Sequence, residues 1–261
     1  MGRIIAFANQ KGGVGKTTTC VNMSTNMALM GKKVLIVDLD PQGNATSNLG
    51  ITKDKNLNSI YQVMTEEKEI ENAIYETKIE NLYIIPSNMD LSGAEVELVD
   101  MDNREKVIKN IFAKIKDDYD YITFDCPPAL NLLTINAFTC ADSVIIPIQC
   151  EFFALEGLSQ LMNTIRIVKK KLNPDITIDG VVLTMRDTRS NLGKQVAIEI
   201  EKFFKDSVFK TSIPRNVRLA ESPSFGEPIY TYDKGCAGSK AYIALTEEYF
   251  KKNKVPYKKI K

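Results

Sequence analysis

The sequence predicts an α/β protein built on a single doubly wound, mostly parallel β-sheet flanked by helices. Three observations carry this. Short apolar runs recur along the chain and read as strands buried on both faces. Helical stretches separate them, the alternation expected of a parallel sheet with right-handed crossovers. A glycine-rich turn joins the first apolar run to the first helical stretch. At 261 residues and 44% apolar content the chain suits one such domain with a buried sheet. No repeat, low-complexity tract or linker divides it, so a single domain over 1–261 is expected.

The first strand is Ile4–Ala8, followed by Lys11-Gly12-Gly13-Val14-Gly15-Lys16-Thr17-Thr18 and a helical stretch from Thr18 to Met30. Glycines let the backbone bend so that successive N–H groups converge on an anion. The helix N-terminus adds partial positive charge and Lys16 adds a full one. Thr17 can offer its hydroxyl to a magnesium ion that bridges phosphates. Strand, glycine-rich turn and helix start form the context of a phosphate-binding loop. Gly12, Gly13, Val14, Gly15, Lys16, Thr17 and Thr18 are therefore the expected nucleotide-binding residues.

The second strand, Val34–Val37, runs into Asp38-Leu39-Asp40-Pro41-Gln42-Gly43-Asn44. Ligands of open α/β sheets sit beyond the carboxyl ends of strands, which brings Asp38 and Asp40 toward the phosphates. A carboxylate of ordinary pKa is a poor strong base, so Asp40 is expected to position rather than deprotonate. Asn56–Met64 and Glu67–Glu76 read as two short helices, Leu82–Ile85 as a strand, and the stretch from Ser87 to Glu95 opens a further helix. Glu105–Lys116 reads as helix and Tyr121–Phe124 as a strand ending in Asp125. An apolar run ending in aspartate, beside a phosphate loop, is where a carboxylate holds magnesium directly or through water. Val144–Ile146, Leu155–Leu172, Gly180–Leu183 and Leu192–Phe204 complete the alternation as strand, helix, strand and helix.

Composition sets limits. Lys+Arg 34 against Asp+Glu 33 leaves almost no net charge, so any DNA contact must come from a local patch. Histidine is absent, which excludes imidazole chemistry. Cys20, Cys126, Cys140, Cys150 and Cys236 form an odd set without a C-x-x-C pair, as expected of reduced thiols. No apolar run approaches the roughly 18–20 residues of a membrane span. The first residues already read as a strand and not as a signal peptide, so a cytoplasmic location is expected.

Where the general pattern G-x-x-x-x-G-K-[ST] has its first glycine, this chain has Gln10, and a second lysine, Lys11, precedes the glycines. This K-G-G-x-G-K-T, the deviant Walker A signature, resembles the ParA/MinD group of P-loop ATPases, and most resembles its chromosomal ParA (Soj) type. The D-x-D-P-Q from Asp38 and the run Pro147-Ile148-Gln149-Cys150-Glu151 extend the resemblance, which spans Ile4 to about Tyr249.

The resemblance implies ATP as ligand, with Mg2+ held among Thr17, Asp125 and Asp40. It implies a homodimer formed on ATP binding, in which Lys11 crosses to the partner's ATP and Gly12 lies at the close approach. Lys11, Lys16 and Asp40 would form the catalytic set, with Asp40 orienting the attacking water. Asp38 would support the magnesium shell or the loop. Glu151 would contact the ribose or the facing subunit, or else cap a helix. Met185 would wall the adenine, and Pro214, Arg215 and Asn216 would line the base edge. Arg189 and Arg218, among Arg186, Lys194 and Arg215, would form a surface for non-specific double-stranded DNA by neutralising phosphates. Family logic adds a ParB-type activating partner, a role in chromosome or plasmid partitioning, and association with the nucleoid. The alternative is a MinD-like switch acting on membrane or protein cargo. The lysine-rich segment at 252–261, expected as a flexible tail, fits that poorly, because Pro256 interrupts helix formation and apolar residues are few.

Overall fold

The computed structural model describes residues 2–53, 57–65, 68–151, 154–187 and 190–260, without the side chains of 154–156. The strands are β1 (Arg3–Phe7), β2 (Val34–Asp38), β3 (Tyr75–Glu76), β4 (Leu82–Ile85), β5 (Tyr121–Asp125), β6 (Ser143–Gln149) and β7 (Thr177–Thr184). They form one sheet in the order β3-β4-β2-β5-β1-β6-β7. All neighbours are parallel except β3, which runs antiparallel to β4. From β1 the chain moves outward through β2 and β4, then returns to β5 and crosses to β6 and β7. The loops after β1 and β5 therefore meet at the point where the winding reverses, the usual position of a ligand crevice.

Successive strand residues divide between two cores, as the two-residue period of a strand requires. Ile4, Ala6, Leu35, Val37, Ile122 and Phe124 face one side, packed by the helices Leu132–Cys140, Ala154–Lys171 and Asn191–Phe204. Ile5, Phe7, Val34, Ile36 and Tyr121 face the other, packed by Lys16–Leu29 and Ala237–Lys252. The six strands read from the sequence all form, and burial on both faces explains why their sequences are continuous apolar runs.

Other expectations are corrected. Of the helix expected over Glu67–Glu76, Glu67 lies outside the described residues; over 68–76 the chain instead makes a single 3-10 turn, Ile70–Ala73, and then pairs Tyr75 and Glu76 with Ile84 and Tyr83. The reversal is built by Thr77, whose hydroxyl donates to Leu82 O at 2.8 Å, and by Asn81 at φ 65°. The preceding helix starts at Ile60 because Ser59 and Gln62 form a capping box, with Ser59 N donating to Gln62 Oε1 at 2.8 Å. The helix expected over Glu105–Lys116 is shorter, Val107–Phe112, between 3-10 turns.

The outer edge of β7 is covered by the segment 208–214. Phe209 N donates to Val181 O at 2.9 Å and Ile213 N to Leu183 O at 2.8 Å. A Cβ at Gly180 would lie 2.2 Å from the Phe209 ring, so this close crossing needs glycine there. The C-terminal segment also has a seat, which corrects the expectation of a free tail. Beyond the helix Ala237–Lys252, Val255, Tyr257 and Ile260 pack against the second core, and Lys258 N donates to Met30 O at 3.1 Å. Its alternating apolar residues give it one face to bury, while its lysines stay outside.

Candidate nucleotide-binding site

A cavity of about 690 Å3 opens at the carboxyl ends of the strands, within the size range of small-molecule sites. One wall is the loop between β1 and the helix Lys16–Leu29. Gly15 is the N-cap of that helix at φ 83°, a left-handed position that disfavours other residues. Its first turn has neither a side-chain cap nor an acidic residue, so its N–H groups stay available to an anion. The loop is fixed from outside: Thr184 Oγ1 donates to Val14 O at 2.8 Å, and Thr19 Oγ1 to Gly15 O at 2.7 Å. Gly12, Gly13, Gly15, Lys16, Thr17 and Thr18 line the cavity, whereas Val14 is buried behind them.

The two lysines of the loop differ. Lys16 is 7% exposed, and its ammonium donates to Lys11 O at 3.1 Å. Burial lowers its pKa, against the opposing charges of Asp125 and Asp40. Lys11 is not among the residues lining the cavity; its ammonium lies 3.0 Å from Glu151 Oε2.

Across from Lys16 lie three carboxylates at the ends of β2 and β5. Asp38 and Asp125 are register partners and fully buried. Asp38 accepts from Thr46 N at 2.8 Å, Thr46 Oγ1 at 2.7 Å and Asp40 N at 3.2 Å. It therefore braces the loop, one of the two roles expected of it. Burial pushes its pKa up to about 6 against these hydrogen bonds. No hydrogen bond of good geometry reaches either oxygen of Asp125, although the Thr17 hydroxyl lies beside it. Burial and the neighbouring Asp38 push its pKa well above the carboxylate range, opposed by the Thr17 hydroxyl and the Lys16 charge. A buried carboxylate with no well-formed hydrogen bond, beside a threonine hydroxyl and a glycine-rich loop, fits the donor set of a hard cation that would take its other oxygens from phosphate and water. No cluster of three acidic or thiol ligands forms an all-protein cage among the described residues. Asp40 lines the cavity and accepts from Gln42 N at 3.0 Å.

The far wall holds Met185, Ile213, Pro214, Arg215 and Asn216. Met185 has φ 48°, a strained conformation for a methionine, held by Arg186 N donating to Ile213 O at 2.9 Å. Asn216 Oδ1 caps the helix Val217–Glu221 by accepting from Leu219 N at 3.3 Å, so its side-chain carbonyl is engaged. Gln42, Asn48, Thr184, Leu219, Pro223 and Tyr242 also line the cavity and were not expected. Tyr242 comes from the C-terminal helix, where its position in the sequence signals only a core residue.

Of the residues expected to meet DNA, Arg189 lies outside the described residues. Arg218 is exposed and shares its guanidinium between Glu221 at 3.0 Å and Asp233 at 3.7 Å. Arg215 and Lys194 are exposed, and Arg186 is half-buried.

Comparison with known proteins accords with this geometry. A family model described as an AAA domain matches residues 2–178. The chain is 54% identical over 248 residues to the sporulation initiation inhibitor protein Soj of Bacillus subtilis, covering 95% of this chain and 98% of that protein. It is 49% identical to the chromosome partitioning protein ParA of Myxococcus xanthus, over 97% of this chain and 89% of that one. Among solved structures, cobyrinic acid a,c-diamide synthase from Mycobacterium smegmatis, with bound ATP analog and magnesium, superposes with a TM-score of 0.84 at 36% identity, covering 95% of this chain and 93% of that one.

Proposed function

The chain belongs to the ParA/Soj family of chromosome-partitioning ATPases, and on that premise we propose that it is a two-copy switch on DNA. It is an ATPase that uses ATP and magnesium. ATP brings two copies of this single domain together, the pair holds DNA without reading its sequence, and hydrolysis separates the copies and releases the DNA. A ParB-type partner accelerates hydrolysis, and the ATP-bound protein resides on the nucleoid.

Lys16 and the backbone N–H groups from Gly13 to Thr18 hold the phosphates. Thr17 and Asp125, with Asp40 close by, would hold magnesium, which would supply charge neutralisation to the phosphates. Asp40 aligns the water that attacks the terminal phosphorus. Lys11 neutralises charge on the ATP of the second copy, and Gly12 leaves room for its approach. Met185 walls the adenine beside Pro214, Arg215 and Asn216.

The observation that carries the two-copy reading is the contrast between the two lysines. Lys16 is buried at its own phosphate loop, whereas the Lys11 ammonium pairs with Glu151 and does not line the cavity of its own chain. A cation held only by an exposed ion pair can be given up to a second ligand. The membrane alternative draws less support, because the apolar residues of the C-terminal segment are engaged in the second core.

The test is DNA binding by the Asp40→Ala protein with ATP, with ADP and without nucleotide, over a salt series. Binding only with ATP, falling steeply with salt and indifferent to sequence, is the expected result. No binding in any state, with the pair confirmed, overturns the DNA reading.

A further inference from the structure

The carboxylate that holds Lys11 is itself held. Glu151 Oε2 meets the Lys11 ammonium at 3.0 Å, while its other oxygen accepts from the side-chain amide of Gln149, the last residue of β6. The backbone of Lys11 is fixed as well. Lys11 N donates to Asn9 Oδ1 at 3.0 Å, and Asn9 Nδ2 donates to Pro147 O at 2.7 Å, so Asn9 ties the loop to β6. Lys11 O accepts from Lys16 Nζ at 3.1 Å. Lys11 is thus retained inside its own chain by three contacts, one on its ammonium, one on its backbone N–H and one on its carbonyl.

We propose that Glu151 is a positioning residue that parks Lys11 in cis, and that an anion in the phosphate loop loosens this arrangement by claiming Lys16. The inference rests on the reading that Lys11 acts on the ATP of a second copy. A phosphate in the loop competes with Lys11 O for the Lys16 ammonium, and a charged acceptor wins over a neutral carbonyl. With that bond gone, the backbone N–H stays on Asn9 and the ion pair with Glu151 is the remaining hold on the side chain. Both partners are exposed, 36% for Lys11 and 49% for Glu151, so the pair is weak enough to break and strong enough to set a threshold. Two such pairs open for each dimer. Glu151 therefore sets the nucleotide concentration at which copies associate, while leaving the phosphate site of the single chain untouched.

The experiment titrates wild-type protein and Glu151→Gln with adenylyl imidodiphosphate and magnesium, following pairing by light scattering. One exposed ion pair is worth up to about fivefold, so the variant should pair up to about 25-fold more tightly and at lower nucleotide concentration. The gap should close between about 0.05 M and about 0.5 M salt, as screening weakens the wild-type pair. ADP affinity, read on the unpaired chain, should be equal in the two proteins. Equal or weaker pairing of Glu151→Gln overturns the proposal, weaker pairing meaning that Glu151 supports the facing copy. A changed ADP affinity overturns it too, since Glu151 would then act on its own nucleotide. Lys11→Ala separates the underlying reading: if it pairs like wild type, Lys11 has no role in the second copy. In that background, Glu151→Gln should have no further effect, and a persisting effect overturns the parking role.

Discussion

Asp38 and Asp125 stand side by side as register partners on β2 and β5, both fully buried, yet only Asp38 makes well-formed hydrogen bonds through its carboxylate. The asymmetry separates the two: Asp38 braces the loop, whereas the Asp125 oxygens are not taken up by the loop. It also has a pH signature in magnesium-free, nucleotide-free protein. The folded-state pKa of Asp38, about 6, lies above the unfolded value of about 3.9. The folded chain then keeps a proton that the unfolded chain has released. This contribution is fully present below about pH 4 and is lost as pH rises through about 6, amounting to at most about 3 kcal/mol. Urea midpoints across that window should fall more for wild type than for Asp38→Asn. Parallel curves would remove the assignment.

Lys16→Ala should lose ATP binding, because a charge-assisted bond to phosphate is worth about 1.5–3 kcal/mol, or roughly 10- to 150-fold in affinity. Fluorescent-nucleotide titration reads this directly. Near-normal affinity would contradict the phosphate-loop assignment.

Asp40→Ala should still bind ATP and accumulate as the pair, with turnover reduced by about 100-fold or more. Steady-state phosphate release together with the mass of the ATP-bound species checks both halves. Normal turnover would refute its role in aligning water.

At Gly12 an added Cβ meets nothing closer than Pro128 Cβ at 4.0 Å, so a side chain fits in the single chain. Gly12→Val should keep nucleotide affinity within about threefold, as for an exposed site, and fail to pair. Pairing by this variant, seen in sedimentation with ATP, would show that no second copy approaches there.

Charge removal at Arg189 and Arg218 together should weaken DNA binding while ATP-driven pairing persists. For every phosphate no longer neutralised, the log–log salt dependence should flatten by about one unit, and a pair presents each arginine twice. Arg218 must first leave Glu221 and Asp233, so its removal should cost less than that of an unpaired arginine.

The parts legible in the sequence are those whose physics is local. The loop from Lys11 to Thr18 announces itself because glycines, lysine and helix start are contiguous, and Asp125 because it ends a run buried on both faces. The two-residue strand Tyr75–Glu76 leaves no period to read, and its pairing is decided by the turn at Asn81. Tyr242 reaches the site through contact with Thr19, 223 positions away, and no local pattern encodes that meeting. The seat of the C-terminal segment on Met30 is hidden for the same reason: lysines dominate its composition, while Val255, Tyr257 and Ile260 determine where it lies.

The segment that covers β7 has a consequence for larger assemblies. Its bonds to Val181 and Leu183 occupy groups that an open edge would offer to a neighbouring molecule, and β3 at the opposite edge is only two residues long. Sheets with blunted edges resist growth by strand addition. Copies of this chain at high local concentration are therefore not expected to join through a continuous backbone ladder that would set into a fibre.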